Sequence, residues 1–112
     1  MEDQIMVVTT NELPGYEVTE VYGEVFGLIV RSRNVFSNIG ASLRTVFGGE
    51  VKGYTRLLAD TREQAMTRLR DAASAKGANA VLMMQFDSGD IASQMNEVVA
   101  YGTAVKVRPL SK

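Results

Sequence analysis

The stretch over residues 46–86 constrains this chain most, because it joins two glycine breaks to one long amphipathic repeat and then to an apolar run. Gly48-Gly49 and Gly53 interrupt the chain. Over about 55–76, Leu58, Ala65, Leu69, Ala72 and Ala73 recur at helical spacing, with Arg62, Glu63, Arg70 and Asp71 on the opposite side. Lys76-Gly77 closes this helix with a cation in the last turn and a glycine just beyond it. Residues 80–86 are almost wholly apolar, which suits a strand covered on both faces. Asp87-Ser88-Gly89-Asp90 then reads as a turn.

The flanking segments alternate with period two. Residues 4–9 form a short β segment, broken by Pro14-Gly15. Over residues 17–31, Val21, Val25 and Ile29 share one face with Gly23 and Gly27, while the other face passes from Glu20, Tyr22 and Glu24 to Phe26, Leu28 and Val30. Its second half therefore needs a cover. Glycines inside a strand mark a bend, a bulge or a close backbone approach. Asn34 can cap a second helix that carries Phe36, Ile39, Leu43, Val46 and Phe47 on one face and ends at Gly48-Gly49. The last strand, 96–108, sets Val99, Tyr101, Thr103, Val105 and Val107 against a face of small residues, Ala100, Gly102 and Ala104, suited to a closely packed helix. The expectation is an α+β fold, a mainly antiparallel sheet packed with two helices.

A chain of 112 residues holds one domain, here 1–112, with its core over about 14–108 and a short tail at 109–112. A domain of this size buries roughly two thirds of its unfolded surface alone, so self-association is expected to hide further apolar area. The formal net charge of −1 offers no field to recruit nucleic acid or anionic lipid. An acidic start and short apolar runs point to a cytoplasmic protein with no membrane partner. Cys and His are both absent. That removes thiol nucleophiles, disulfides, the usual general base near neutral pH and the preferred ligands of thiophilic metals. Ser88, Tyr22, Tyr54 and Tyr101 have no base within sequence reach, so no enzyme and no cofactor are expected.

Asn34-Val35-Phe36, the Val46-Phe47-Gly48-Gly49 end, Gly53-Tyr54, the helix to Lys76-Gly77-Ala78-Asn79-Ala80-Val81, and Tyr101-Gly102-Thr103-Ala104-Val105-Lys106-Val107 together resemble the small bacterial YbjQ-like family, whose label is "putative heavy-metal-binding". The resemblance runs from about Pro14-Gly15 to Val107. It implies an α+β subunit assembling into a ring, a pentamer, with no settled activity. Many relatives carry closely spaced acidic residues after Ala80-Val81; here Asp87 holds one of those positions, Gln85 another, and Asp90 lies nearby. Asp87 and Asp90 are the metal candidates, able at most to start a hard-cation site. Arg31, Arg33 and Asn34 are the ligand candidates, since two cations and a cap before a helix could hold a small anion. The leading expectation is a non-enzymatic ring that serves as a scaffold or binds a small ligand at subunit boundaries. Metal binding, as the label suggests, is the alternative, and an enzyme acting through carboxylates is the second.

Overall fold

A computed structural model of the chain describes residues 4–32, 52–92 and 95–110. In chain order the elements are β1 (Met6–Val7), β2 (Tyr16–Ser32), α1 (Lys52–Ala75), β3 (Ala80–Ala92) and β4 (Met95–Pro109). The strands make one mixed sheet in the order β1-β3-β4-β2. β1 runs parallel to β3, and the pairs β3–β4 and β4–β2 are antiparallel. The class is α+β as expected, with one helix among the described residues; the expected shorter helix after Asn34 lies outside them.

Helix α1 buries Thr61, Ala65, Leu69 and Ala73 completely, a stripe repeating every four residues. Thr61 is tolerated there because its Oγ1 donates to the Leu57 carbonyl at 2.8 Å. The same four-residue step leads back to half-buried Leu57, not to Leu58, which is 46% exposed where an inward position was expected. Gly77, at φ +90°, ends the helix. The Ala78 N–H donates to the Ala73 carbonyl at 3.1 Å and the Gly77 N–H to that of Ser74 at 3.0 Å, the paired bonds of a Schellman cap.

The helix lies on a floor of small residues. Ala100 and Ala104 of β4 are fully buried beneath it. At Gly27 of β2 a Cβ would stand 2.0 Å from the Ala65 carbonyl oxygen and 2.5 Å from the Leu69 nitrogen. Glycine is therefore required at 27 by the helix backbone itself.

Gly23 plays a different part. It sits at φ +100°, and the β2–β4 register shifts on either side of Val21. Beyond this bulge Val25, Gly27 and Ile29 point to the helix; before it the alternation inverts, so Tyr22 packs on the core while Val21 is 65% exposed. The expectation that Val21 shares the face of Val25 is thus corrected by one inserted residue.

On the opposite side of the sheet, Ala80, Leu82, Val105 and Val107 are covered by Met6, Val8 and Leu13. Asn79 closes this end, donating from Nδ2 to the Val107 carbonyl at 2.9 Å and accepting at Oδ1 from the Val107 N–H at 2.8 Å. A second bulge, with Met83 at φ 58°, redirects β3 between Leu82 and Gln85. β3 then continues to Ala92, with Asp87 opposite Val99 and Asp90 opposite Asn96. The turn expected at Asp87-Ser88-Gly89-Asp90 is not there, because the ladder with β4 overrides local turn preference.

These contacts give a matched pair of outcomes. Gly27→Ala should lower unfolding stability by about 2 kcal/mol or more through overpacking against the helix backbone. Gly89→Ala, where a Cβ would meet nothing within 4 Å, should change it by less than about 0.5 kcal/mol. Urea titrations of the two variants measure the contrast.

Candidate functional site

Beyond the two bulges the sheet is covered by α1 on one face, and the other face carries a row of half-exposed side chains that no element among the described residues covers fully. Register sets Phe26 beside Tyr101 and Gln85, Leu28 beside Val99 and Asp87, and Val30 beside Glu97 and Gly89. Phe26, Leu28 and Val30 are 55%, 42% and 47% exposed. Phe26 and Tyr101 form a tilted ring pair with centroids 6.5 Å apart, and the Tyr101 hydroxyl donates to Gln85 Oε1 at 3.1 Å. An apolar stripe on β2 thus grades into a polar one on β3. β2 is also the last strand of the sheet among the described residues, so its outer backbone edge adjoins the stripe. Half-exposed apolar side chains and a strand edge thus lie side by side.

On the helix side, an open cleft of about 380 Å³ separates the start of α1 from the β3–β4 hairpin, lined by Leu58, Arg62, Phe86, Asp87, Glu97 and Val98 among others. The Arg62 guanidinium lies over the Phe86 ring, 5.1 Å from its centroid. Asp87 Oδ1 accepts from the Ser88 N–H at 2.9 Å. Tyr22, near the helix end, donates its hydroxyl to Glu20 Oε1 at 3.1 Å. Desolvation first, then the bond to Glu20 and its charge, hold that phenol above its ordinary value, so it serves as a donor at neutral pH.

Of the ligand candidates, Arg31 is half-buried near the end of β2, opposite Asn96. Arg33 and Asn34 lie outside the described residues. Asp87 and Asp90 both belong to β3 and not to a turn, three residues apart.

The donor set does not suit a heavy metal: the chain has neither Cys nor His, and no group of three His, Cys, Asp or Glu residues able to hold an ion occurs among the described residues. The thioethers of Met83 and Met95, both near 45% exposed, do not converge either, since Met95 pairs with Ala92, roughly 30 Å along β3 from position 83. Arg68 escaped the sequence reading, and Arg62 was read only as an outward residue of the helix. Both sit on the polar side of a helical repeat, and nothing local connects position 62 to Phe86 or position 68 to β2.

Comparison with known proteins adds a consistent picture. The family described as "Putative heavy-metal-binding" (YbjQ_1) matches residues 5–108. The chain is 54% identical over 108 residues to the UPF0145 protein YjfJ of Lactococcus lactis subsp. lactis, covering 96% of this chain and 99% of that one. It is 53% identical to UPF0145 protein TV0671 of Thermoplasma volcanium, covering 98% and 90%. Among solved structures, a protein of unknown function of the DUF74 family from Pediococcus pentosaceus superimposes with a TM-score of 0.59 over 93% of this chain and 98% of the other, at 11% identity, a likeness of fold.

Because the chain lacks thiolate and imidazole, untagged protein dialysed against a mild chelator at neutral pH should retain less than about one tenth of an equivalent of zinc, copper(II) or cadmium. Elemental analysis by mass spectrometry measures this; one equivalent per subunit would show that carboxylates and thioethers suffice.

Proposed function

The chain belongs, over residues 5–108, to the YbjQ_1 family, and from that premise we propose that it works as a self-assembling protein, a ring of about five subunits. In this reading it is a cytoplasmic scaffold or small-ligand binder, not an enzyme. The observation that carries the reading is the half-exposed row of Phe26, Leu28 and Val30 beside the outer edge of a 17-residue strand. Covering the exposed half of each side chain is worth about 1 kcal/mol apiece, and the part of the edge that Arg68 does not occupy can add backbone hydrogen bonds to a neighbour.

Shape supports the same reading. The radius of gyration is 17.4 Å, whereas a compact domain of this length has about 13 Å. The long axis, 59 Å against 29 and 27 Å, follows from strands too long for one helix to cover. Such an extended subunit exposes more apolar area than a compact one and has more to gain from a neighbour. No helix among the described residues is long and apolar enough to cross a membrane. The tyrosine hydroxyls support a non-catalytic reading, since Tyr101 donates to an amide oxygen, which is no base, and the Tyr22 phenol beside Glu20 is held above its ordinary value, the opposite of activation.

Sedimentation velocity at micromolar concentration should show a discrete species of about five subunits. Leu28→Asp, which sets a charge in the apolar row, should weaken assembly at least about tenfold. A monomeric wild-type protein would refute the reading.

A further inference from the structure

The outer edge of β2 and the flank of α1 enclose a second concavity of about 380 Å³, apart from the Arg62 cleft and walled by residues 28–31 of the strand with Gln64 and Arg68 of the helix. Arg68 Nη1 donates to the Leu28 carbonyl at 2.8 Å, which anchors its guanidinium on the strand edge. Gln64 stands one turn earlier on the same side of α1, a spacing that makes the two side chains neighbours. Arg31 enters from the strand. Its Nε is buried and has no hydrogen-bond partner.

A buried N–H without an acceptor carries a desolvation penalty that structures rarely leave uncompensated, and in half-buried Arg31 that group is the Nε–H. Among the described residues neither Arg31 nor Arg68 is paired with a carboxylate; the ion pair there, Arg108 with Glu17, is at the opposite end of the β2–β4 ladder. Two guanidinium groups and one amide therefore bound a space in which donors outnumber acceptors. A guanidinium offers Nε and Nη on one side as a planar fork that matches two oxygens of one anion. A cation would be repelled there, and a neutral hydroxyl would leave both charges uncompensated.

We propose that this groove binds a compact oxyanion, a carboxylate or a phosphate group, with Arg31 as the bidentate anchor and Arg68 and Gln64 as flanking donors. The proposal rests on the small-ligand part of the function given above. It joins Arg31, one of the three ligand candidates, to residues of α1.

The test titrates the wild-type protein calorimetrically with sodium phosphate and, separately, sodium acetate, each at constant ionic strength set by chloride, with sedimentation run on the same samples. Saturable binding of at least one anion, one per subunit, is expected. Binding of phosphate alone assigns the site to phosphate groups, and binding of acetate extends it to carboxylates. Arg31→Lys keeps the charge and removes the fork, and should weaken binding about tenfold or more; Gln64→Ala should weaken it less. No saturable binding of either anion to the wild-type protein overturns the proposal, even if both variants fail to fold. So does an Arg31→Lys protein that folds and binds as tightly as the wild type. Assembled protein without anion binding removes this site alone, and monomeric protein that binds anion removes the ring and leaves the site.

Discussion

Contact between the backbone of α1 and the bare Cα of Gly27 sets the geometry on which the other features depend. With a side chain at 27, the Ala65 carbonyl and the Leu69 nitrogen could not stand where they do. The helix then lies close enough for Ala65, Leu69 and Ala73 to meet Ala100 and Ala104 directly. Small residues on both sides make a thin, dense layer with little room to adjust. Such a core tolerates added volume poorly, because interiors pack like crystals and strain is passed to neighbours. The same closeness lets Arg68 reach the Leu28 carbonyl and hold the helix flank against the strand edge.

Two bulges decide which parts of the sheet are covered twice. Gly23 inverts the alternation of β2, and Met83, with Gly102 facing the kink, bends β3. Below them the N-terminal segment covers the face away from the helix through Met6, Val8 and Leu13. Above them that face carries Phe26, Leu28 and Val30, still substantially exposed. One sheet thus has a closed inner half and an open outer half. The apolar row and the two concavities belong to the open half, where α1 covers only one side of long strands.

Much of this was legible from local pattern. The class of fold, α1 with its Gly77 cap and the small-residue face of β4 rest on residues whose spacing is set by helical or strand geometry, and the family resemblance on the identity of separate motifs along the chain. Leu58 and Val21 were misplaced for specific reasons. The fully buried stripe of α1 steps back from Thr61 to Leu57 and passes Leu58 by, and a one-residue bulge between Val21 and Gly23 moves Val21 to the other face of β2. The turn proposed at Asp87-Ser88-Gly89-Asp90 rested on composition, and a long-range ladder outweighed it. Of the candidate site, Arg31 could be singled out as a cation near a strand end, but its companions could not, since Arg68 is 37 residues away on the polar side of a different element.

By itself the sequence determined that this protein is an α+β domain without thiolate or imidazole chemistry, with a well-capped helix and a strand whose distal half is apolar on both faces. Those properties follow from residue identity and from periods of two and 3.6, which need no partner to be read. Tertiary structure alone decided which glycine bends a strand and which admits a helix, where β3 ends, and that Arg31, Gln64 and Arg68 meet. Each of these depends on contacts between segments tens of residues apart, whose free energy exceeds the local preferences of the residues involved.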